Sequence, residues 1–221
     1  QTAEAHGGWR GARRFRIARK VAESAEITSF YLEPEDGEPV VAHEPGQYIG
    51  LRLLVDDQEI RRNYSLSAAS NGRNYRISVK REPGGVASNR LHQMQPGETL
   101  ELFAPAGDFI LQPSDKPLVL ISGGVGITPT LAMLEAAIST SRPVHFIHCA
   151  RNAEAHAFRA TIDRLAEPQG IPGCQCVEGY LQLFTLDHRA ARVRPSRVAA
   201  NTHMRGPSDG PSRTGEAQLA C

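Results

Sequence analysis

Hydrophobic and polar positions alternate through the first half of the chain. Phe15 and Ile17 alternate with Arg14, Arg16 and Arg19. Further runs of the same kind follow at 27–33, 48–55, 63–67 and 74–82. In the last, Tyr75, Ile77 and Val79 alternate with Arg76, Ser78 and Lys80, the period of a half-buried strand. Turn chemistry separates the runs: Glu44-Pro45-Gly46, Ser70-Asn71-Gly72, Pro83-Gly84-Gly85 and Gln95-Pro96-Gly97-Glu98. Leu100 and Leu102 restart a strand. Six short strands at such spacing predict a small closed or nearly closed antiparallel barrel, reaching to about Gln112.

The pattern changes at residues 113–117. Leu118 opens a nearly continuous apolar run to Ser122, as expected of a strand buried on both faces. A Gly-rich turn follows, then Leu131, Leu134, Ala137 and Ile138 at helical spacing. Residues 144–148 form another apolar run, and Phe158, Ile162 and Leu165 mark a second amphipathic helix. Strand, helix, strand, helix implies parallel pairing with right-handed crossovers. From Ile171 onward only residues 180–186 keep apolar character, and the rest is rich in Arg, Pro, Ser, Gly and Ala. A truncated or frame-shifted end and a divergent tail with its own interactions both fit that composition. The expected organisation is a junction at 1–8, a barrel at 9–112, an incomplete parallel α/β nucleotide-binding domain at 113–170 and an atypical tail at 171–221.

Length and composition narrow the function. A chain of 221 residues holds one large domain or two small ones, and 40% hydrophobic with 22% charged residues supports a packed core. A net charge of +1, from 25 basic and 24 acidic residues, argues against a dedicated nucleic-acid or membrane-surface binder. Four cysteines make no disulfide framework, and residues 1–8 carry no apolar signal core. A reducing, cytoplasmic setting is expected. The first residue is Gln1, so a fragment of a longer protein is one reading.

Three clusters carry chemistry. Arg62-Asn63-Tyr64-Ser65 follows Pro45-Gly46-Gln47-Tyr48. Arg62 can fork two hydrogen bonds onto a pyrophosphate, Tyr64 offers a flat π face, and Ser65 can hydrogen-bond a ring nitrogen that changes protonation during hydride transfer. That set suits a flavin nucleotide; an ordinary solvated strand is the alternative. The second cluster, Gly84-Gly85-Val86-Ala87-Ser88, places glycines before a short helix, where backbone N–H groups and the helix dipole favour phosphate. A plain β-to-α turn is its alternative. The third, Gly123-Gly124-Val125-Gly126-Ile127-Thr128-Pro129, lies between a buried strand and an amphipathic helix, the context of a dinucleotide-binding turn. It matches neither G-x-G-x-x-G nor a Walker A loop, and it reads otherwise as an ordinary Gly-rich connection.

In order and spacing these clusters resemble the ferredoxin–NADP reductase superfamily, and within it the reductase half of bacterial flavohaemoglobins, the nitric oxide dioxygenases. Further residues carry the resemblance: Gly7-Gly8-Trp9-Arg10-Gly11, Glu33-Pro34-Glu35-Asp36-Gly37, Tyr75 through Glu82, Ala104-Pro105-Ala106-Gly107-Asp108-Phe109, Leu120 through Gly126, and His148-Cys149-Ala150-Arg151-Asn152. The resemblance covers about Gly7 to Leu165. It implies FAD in the barrel, held by Tyr48, Arg62, Asn63, Tyr64 and Ser65, with Tyr64 and Ser65 at the reacting ring and Gly85, Val86 and Ser88 near the phosphates. Lys80 reads equally as a phosphate ligand and as a solvated cation. Gly123 through Pro129 would receive NAD(P)H. Electrons would pass singly to a globin haem, where nitric oxide is oxidised to nitrate.

Two departures qualify this. No run of helices precedes Trp9, so His6, His43 and His92 are not expected to ligate haem, and the globin must come from elsewhere. The family's later Cys-Gly-Pro segment is missing, since Cys174 and Cys176 are not followed by Gly-Pro. The alternatives are an FAD-binding fragment without catalytic competence and a reductase for a separate ferredoxin or oxygenase. No metal site is expected: Cys174-Gln175-Cys176 offers too few zinc ligands, and plant-type iron–sulfur spacing is absent. Cys149, ending an apolar run, is expected in the core. Arg151 could meet the adenosine end of the dinucleotide or cap the next helix.

Overall fold

The computed structural model describes residues 8–166, 174–175 and 180–186. The first six strands are β1 (Arg13–Ala22), β2 (Ile27–Pro34), β3 (Tyr48–Val55), β4 (Gln58–Ser65), β5 (Tyr75–Lys80) and β6 (Thr99–Leu102), with helix α1 (Val86–Gln93) between the last two. They form one antiparallel sheet in the order β4-β3-β6-β1-β2-β5. Its two ends meet: Leu66 bridges Ile77, and Ser67 N–H donates to Arg76 O at 2.8 Å. The barrel is therefore closed, which leaves few strand edges to aggregate.

Phe15, Ile17, Phe30, Leu32, Ile49, Leu51, Leu66, Tyr75 and Ile77 fill the barrel, as their alternation requires. Helix α1 plugs one mouth with Ala87 and Leu91. Lys20 Nζ donates to His92 O and Met94 O, both at 2.7 Å, and so places a cation at the end of α1 where the helix dipole favours one. His92 itself donates Nε2–H to Val79 O at 2.9 Å, and His43 does the same to Ala68 O at 3.0 Å. Both histidines are structural. Trp9 lies against Phe15 and Tyr75, and its indole N–H reaches Leu102 O at 3.2 Å.

Strand β4 starts five residues before the apolar signal at Asn63. The tight Asp56-Asp57 turn has φ of 49° and 60°, the left-handed pair that a two-residue hairpin needs. Gln58, Glu59 and Arg61 are exposed, so no hydrophobic period marks that half of the strand.

The second half begins with β7 (Leu118–Gly123), a 3-10 turn (Gly124–Gly126) and α2 (Ile127–Ala137), followed by β8 (Val144–Ala150) and α3 (Arg159–Ala166). Strands β7 and β8 pair in parallel. Strands β9 (Cys174–Gln175) and β10 (Tyr180–Leu186) complete a sheet of order β7-β8-β10-β9, with β10 antiparallel along β8. The segment after Ile171 thus adds strand pairing to the sheet, and the expectations for residues 187–221 lie outside the described residues.

Leu120, Ile127, Leu131, Leu134, Val144, Phe146, Phe158 and Ile162 form the second core. Residues of α2 and α3 meet the same face of the sheet, so among the described residues β7 is covered on one side only. Val119 and Ile121 on the other side are 55% and 67% exposed, where burial on both faces was expected. The parity of β8 also differs from expectation. Val144, Phe146, His148 and Ala150 point to the helices, and Cys149 faces outward as an exposed free thiol.

His148 is the polar member of that buried row. It hydrogen-bonds Ser122 Oγ through Nδ1 at 2.9 Å, and its ring centroid is 5.2 Å from that of His156. Among the described residues its Nε2 meets no hydrogen-bond partner. Burial first, and the neighbouring His156 second, push His148 from the usual 6.5 down to about 4, against the opposing bond to Ser122. A depressed histidine binds its proton in the unfolded chain before the folded one, so stability falls as pH drops from 6.5 towards 4. The loss should be on the order of 2 kcal/mol by pH 5. In urea unfolding between pH 7 and 5, His148→Gln should flatten that decline; an unchanged slope would assign the acid sensitivity to other groups.

Candidate functional site

The three clusters meet at one cavity of about 510 Å³ between the barrel and the second half. Arg62, Asn63, Tyr64 and Ser65, at the end of β4, form one wall. Gly85, Val86 and Ser88 at the start of α1, with Lys80 at the end of β5, form the second. Val125, Gly126, Thr128 and Pro129 form the third, where the 3-10 turn enters α2. The third wall is more than thirty residues from the other two in sequence; antiparallel closure and the strand-to-helix turn bring the walls together.

Local chemistry fixes each wall. Tyr64 is half-buried, and desolvation raises its phenol above the usual range, with the Arg62 charge opposing, so the ring presents a neutral face. A Cβ on Gly85 would stand 2.5 Å from Ser88 Oγ and 3.1 Å from Glu82 Cβ, so a side chain there would displace the Ser88 hydroxyl from its bonds in the loop. Ser88 Oγ donates to Gly85 O at 3.1 Å and accepts from Glu82 N–H at 3.3 Å. Its hydroxyl is engaged in the loop, which leaves the first-turn amides of α1 as the donors for an anion. Lys80 is drawn to Glu82 at 2.8 Å and is 4.0 Å from Glu26.

The remaining candidates stand apart from the cavity lining. Tyr48 pairs with Ser65 across the β3–β4 ladder, and its ring lies over Gly107, where a Cβ would sit 2.9 Å away. Gly123 closes β7, and Gly124 takes a left-handed φ of 52° at the turn. Ile127 is fully buried in the second core and braces the turn from behind. Ala87 of the second cluster also lines the cavity, and so do Ser78, Val79 and Glu82, which the sequence did not single out as site residues. Alternation put Ser78 on a solvated face. It is 3% exposed and hydrogen-bonds Ser29 at 2.8 Å and Ser67 at 2.7 Å.

Such walls fit a flavin nucleotide. A guanidinium and helix amides suit a pyrophosphate, an aromatic face and a hydroxyl suit a planar heterocycle, and the glycine cradle keeps backbone accessible. Arg151, the other candidate nucleotide contact, is ion-paired with Glu26 across the two halves. Among the described residues no helix is long and apolar enough to cross a membrane.

A closed antiparallel barrel joined through this cavity to a strand–turn–helix unit defines the class: an FAD- and NAD-binding oxidoreductase. Residues 14–110 match the oxidoreductase FAD-binding domain family, and residues 120–198 match the oxidoreductase NAD-binding domain family. A flavohemoprotein of Pseudomonas aeruginosa is 68% identical over 163 residues, which is 73% of this chain and 42% of that protein. The flavohem-like FAD/NAD-binding domain of nitric oxide dioxygenase from Vibrio cholerae superposes with a TM-score of 0.70 at 42% identity, covering 73% of this chain and 72% of that one. Flavohemoglobin from Malassezia yamatoensis, solved with bound FAD and heme, gives 0.66 at 25% identity, over 71% of this chain and 42% of that one. The chain belongs to the family of flavohaemoglobin reductase domains. It spans less than half the length of the flavohemoproteins it matches.

Proposed function

We propose that this chain takes electrons from a reduced nicotinamide dinucleotide onto FAD and delivers them to a globin haem, as the reductase part of a nitric oxide dioxygenase. The observation that carries this reading is the convergence of all three nucleotide clusters on one cavity. FAD would accept a hydride, two electrons with one proton, and release the electrons singly. Arg62 would hold the pyrophosphate by a two-pronged hydrogen bond. The first turn of α1, kept approachable by Gly85, would neutralise the phosphate charge. Tyr64 would cover one face of the ring, and Ser65 would donate its hydroxyl to the ring nitrogen that gains a proton. Gly124 through Pro129 would seat the nicotinamide opposite. The globin is the proposed acceptor, either joined before Trp9 or supplied as a separate chain. The exposed thiol of Cys149 suits a reducing cytoplasm.

A second reading is a flavin-binding fragment without turnover. The exposure of Val119 and Ile121 on β7 favours it, because a nicotinamide half that leaves apolar strand residues in water could hold its turn too loosely. One experiment separates the two. The chain is loaded with FAD, freed of excess flavin and mixed with NADH without oxygen. Loss of the bound flavin's visible absorbance within seconds is the expected result. Retained FAD that stays oxidised would leave the fragment reading, and failure to retain FAD would overturn both.

A further inference from the structure

The walls of the cavity belong to different halves of the molecule, and an ion pair between buried Arg76 and partly buried Glu135 ties them together. Arg76 on β5 is only 9% exposed, although alternation puts it on a solvated face. Its Nη2 lies 2.9 Å from Glu135 Oε1 on α2, and its Nε donates to Ser67 Oγ at 3.1 Å. The same guanidinium donates to Ser67 O and stands 5.4 Å over the Phe158 ring. Glu135 Oε2 accepts the Ala69 N–H at 2.9 Å, so both carboxylate oxygens are bound to the barrel.

The contacts lead to the cavity from both ends. On the barrel side Ser67 Oγ is 2.7 Å from Ser78 Oγ, and Ser78 lines the cavity. On the other side Glu135 lies about two turns, roughly 10 Å, along α2 from Thr128 and Pro129, which line the facing wall. Phe158 adds an independent sign of constraint. It holds a φ of 62° while 2% exposed, a conformation that a bulky residue keeps only where its surroundings impose it. A buried ion pair contributes little net stability against an apolar substitute, but it fixes geometry, and removing one partner strands the other.

We propose that the Arg76–Glu135 pair is a clamp that sets the distance between the flavin wall and the nicotinamide turn. Arg76 and Glu135 are then positioning residues for hydride transfer, and this rests on the cavity reading given above. Neither lines the cavity. Their effect should fall on the rate of transfer, because a misplacement of about 1 Å costs on the order of 100-fold in rate.

The test uses the FAD-loaded chain, Glu135→Gln and Glu135→Asp, with three readouts: FAD affinity, the flavin bleaching rate at saturating NADH, and hydrogen exchange of α2 against β5. In Glu135→Gln, FAD affinity should stay within about threefold, the saturating rate should fall about tenfold to 100-fold, and α2 amides should exchange about tenfold faster with β5 unchanged. Glu135→Asp, which keeps the charge, should fall between. Arg76→Gln should match Glu135→Gln, and combining the two should add little further loss. An unaltered rate together with unaltered α2 exchange would overturn the clamp, as would FAD loss in step with the rate. If the parent chain binds FAD but is not bleached by NADH, the electron-entry reading fails by itself. Exchange of α2 then decides the clamp alone: faster exchange in Glu135→Gln upholds it, and no change overturns it.

Discussion

Gly46→Ala is expected to destabilise the folded chain by about 3 kcal/mol or more, read as a shift of the urea midpoint at constant slope. Gly46 takes a φ of 106°, outside the range of L side chains. A Cβ there would stand 2.2 Å from Phe109 O and 2.4 Å from Met133 Cε. The methionine end can swing away. The Phe109 carbonyl cannot yield as cheaply, because the loop that carries it is pinned where Leu111 N–H donates to Pro45 O at 3.0 Å. The turn also lies where the barrel meets α2 through Met133, so local strain passes to the wall carrying Thr128 and Pro129. Gly72→Ala is the comparison. Gly72 has a φ of 71° but nothing within 4 Å of a Cβ, so only the conformational cost of about 1 kcal/mol should appear. Equal losses at both positions would refute the steric argument at Gly46.

Arg62→Ala should weaken FAD binding about 100-fold while leaving the fold intact. The estimate takes two charge-assisted hydrogen bonds to pyrophosphate, jointly worth about 2–3 kcal/mol. The side chain is exposed and donates Nη1–H to Arg61 O at 2.7 Å, so its removal opens no core. Arg61→Ala is the control one residue away. Arg61 pairs with Glu59 at 2.6 Å, stacks over Phe103 at 5.0 Å and lies outside the cavity lining. Its loss should change FAD affinity by less than about twofold. Fluorescence titration with FAD measures both, and equal affinities in the two variants would remove Arg62 from the flavin site.

The parts legible in the sequence share one property: their cause is local. Phe15 and Ile17 must share a face because strand side chains alternate, and β1 buries both. The Gly-rich stretch before Ile127 had to be a turn between strand and helix, because apolar patterns of different period flank it. The order Arg62 to Ser65, Gly85 to Ser88 and Gly123 to Pro129 was likewise readable, and so was the family it resembles.

The readings that changed concern which neighbours arrive. Arg76 and Ser78 sit on the outward parity of β5, and the sequence assigns them to water. They are buried because Glu135 and Phe158 close over Arg76, while Ser29 and Ser67 meet Ser78. Val119 and Ile121 look like core and are exposed, because both helices lie on the opposite face of their sheet. Along β8 the apolar run conceals a parity that buries His148 and exposes Cys149.

The sequence by itself determined most strands of the barrel, β7, β8, the turns between them and the order of the three Gly- and Arg-containing clusters, since these follow from backbone preference and side-chain period within a few residues. Tertiary structure decided that the clusters face one cavity, that Arg76 and Glu135 join its two halves, and that Val119 and Ile121 are exposed. Burial and convergence are set by long-range contacts, and a period along the chain carries no record of which distant surface will cover it.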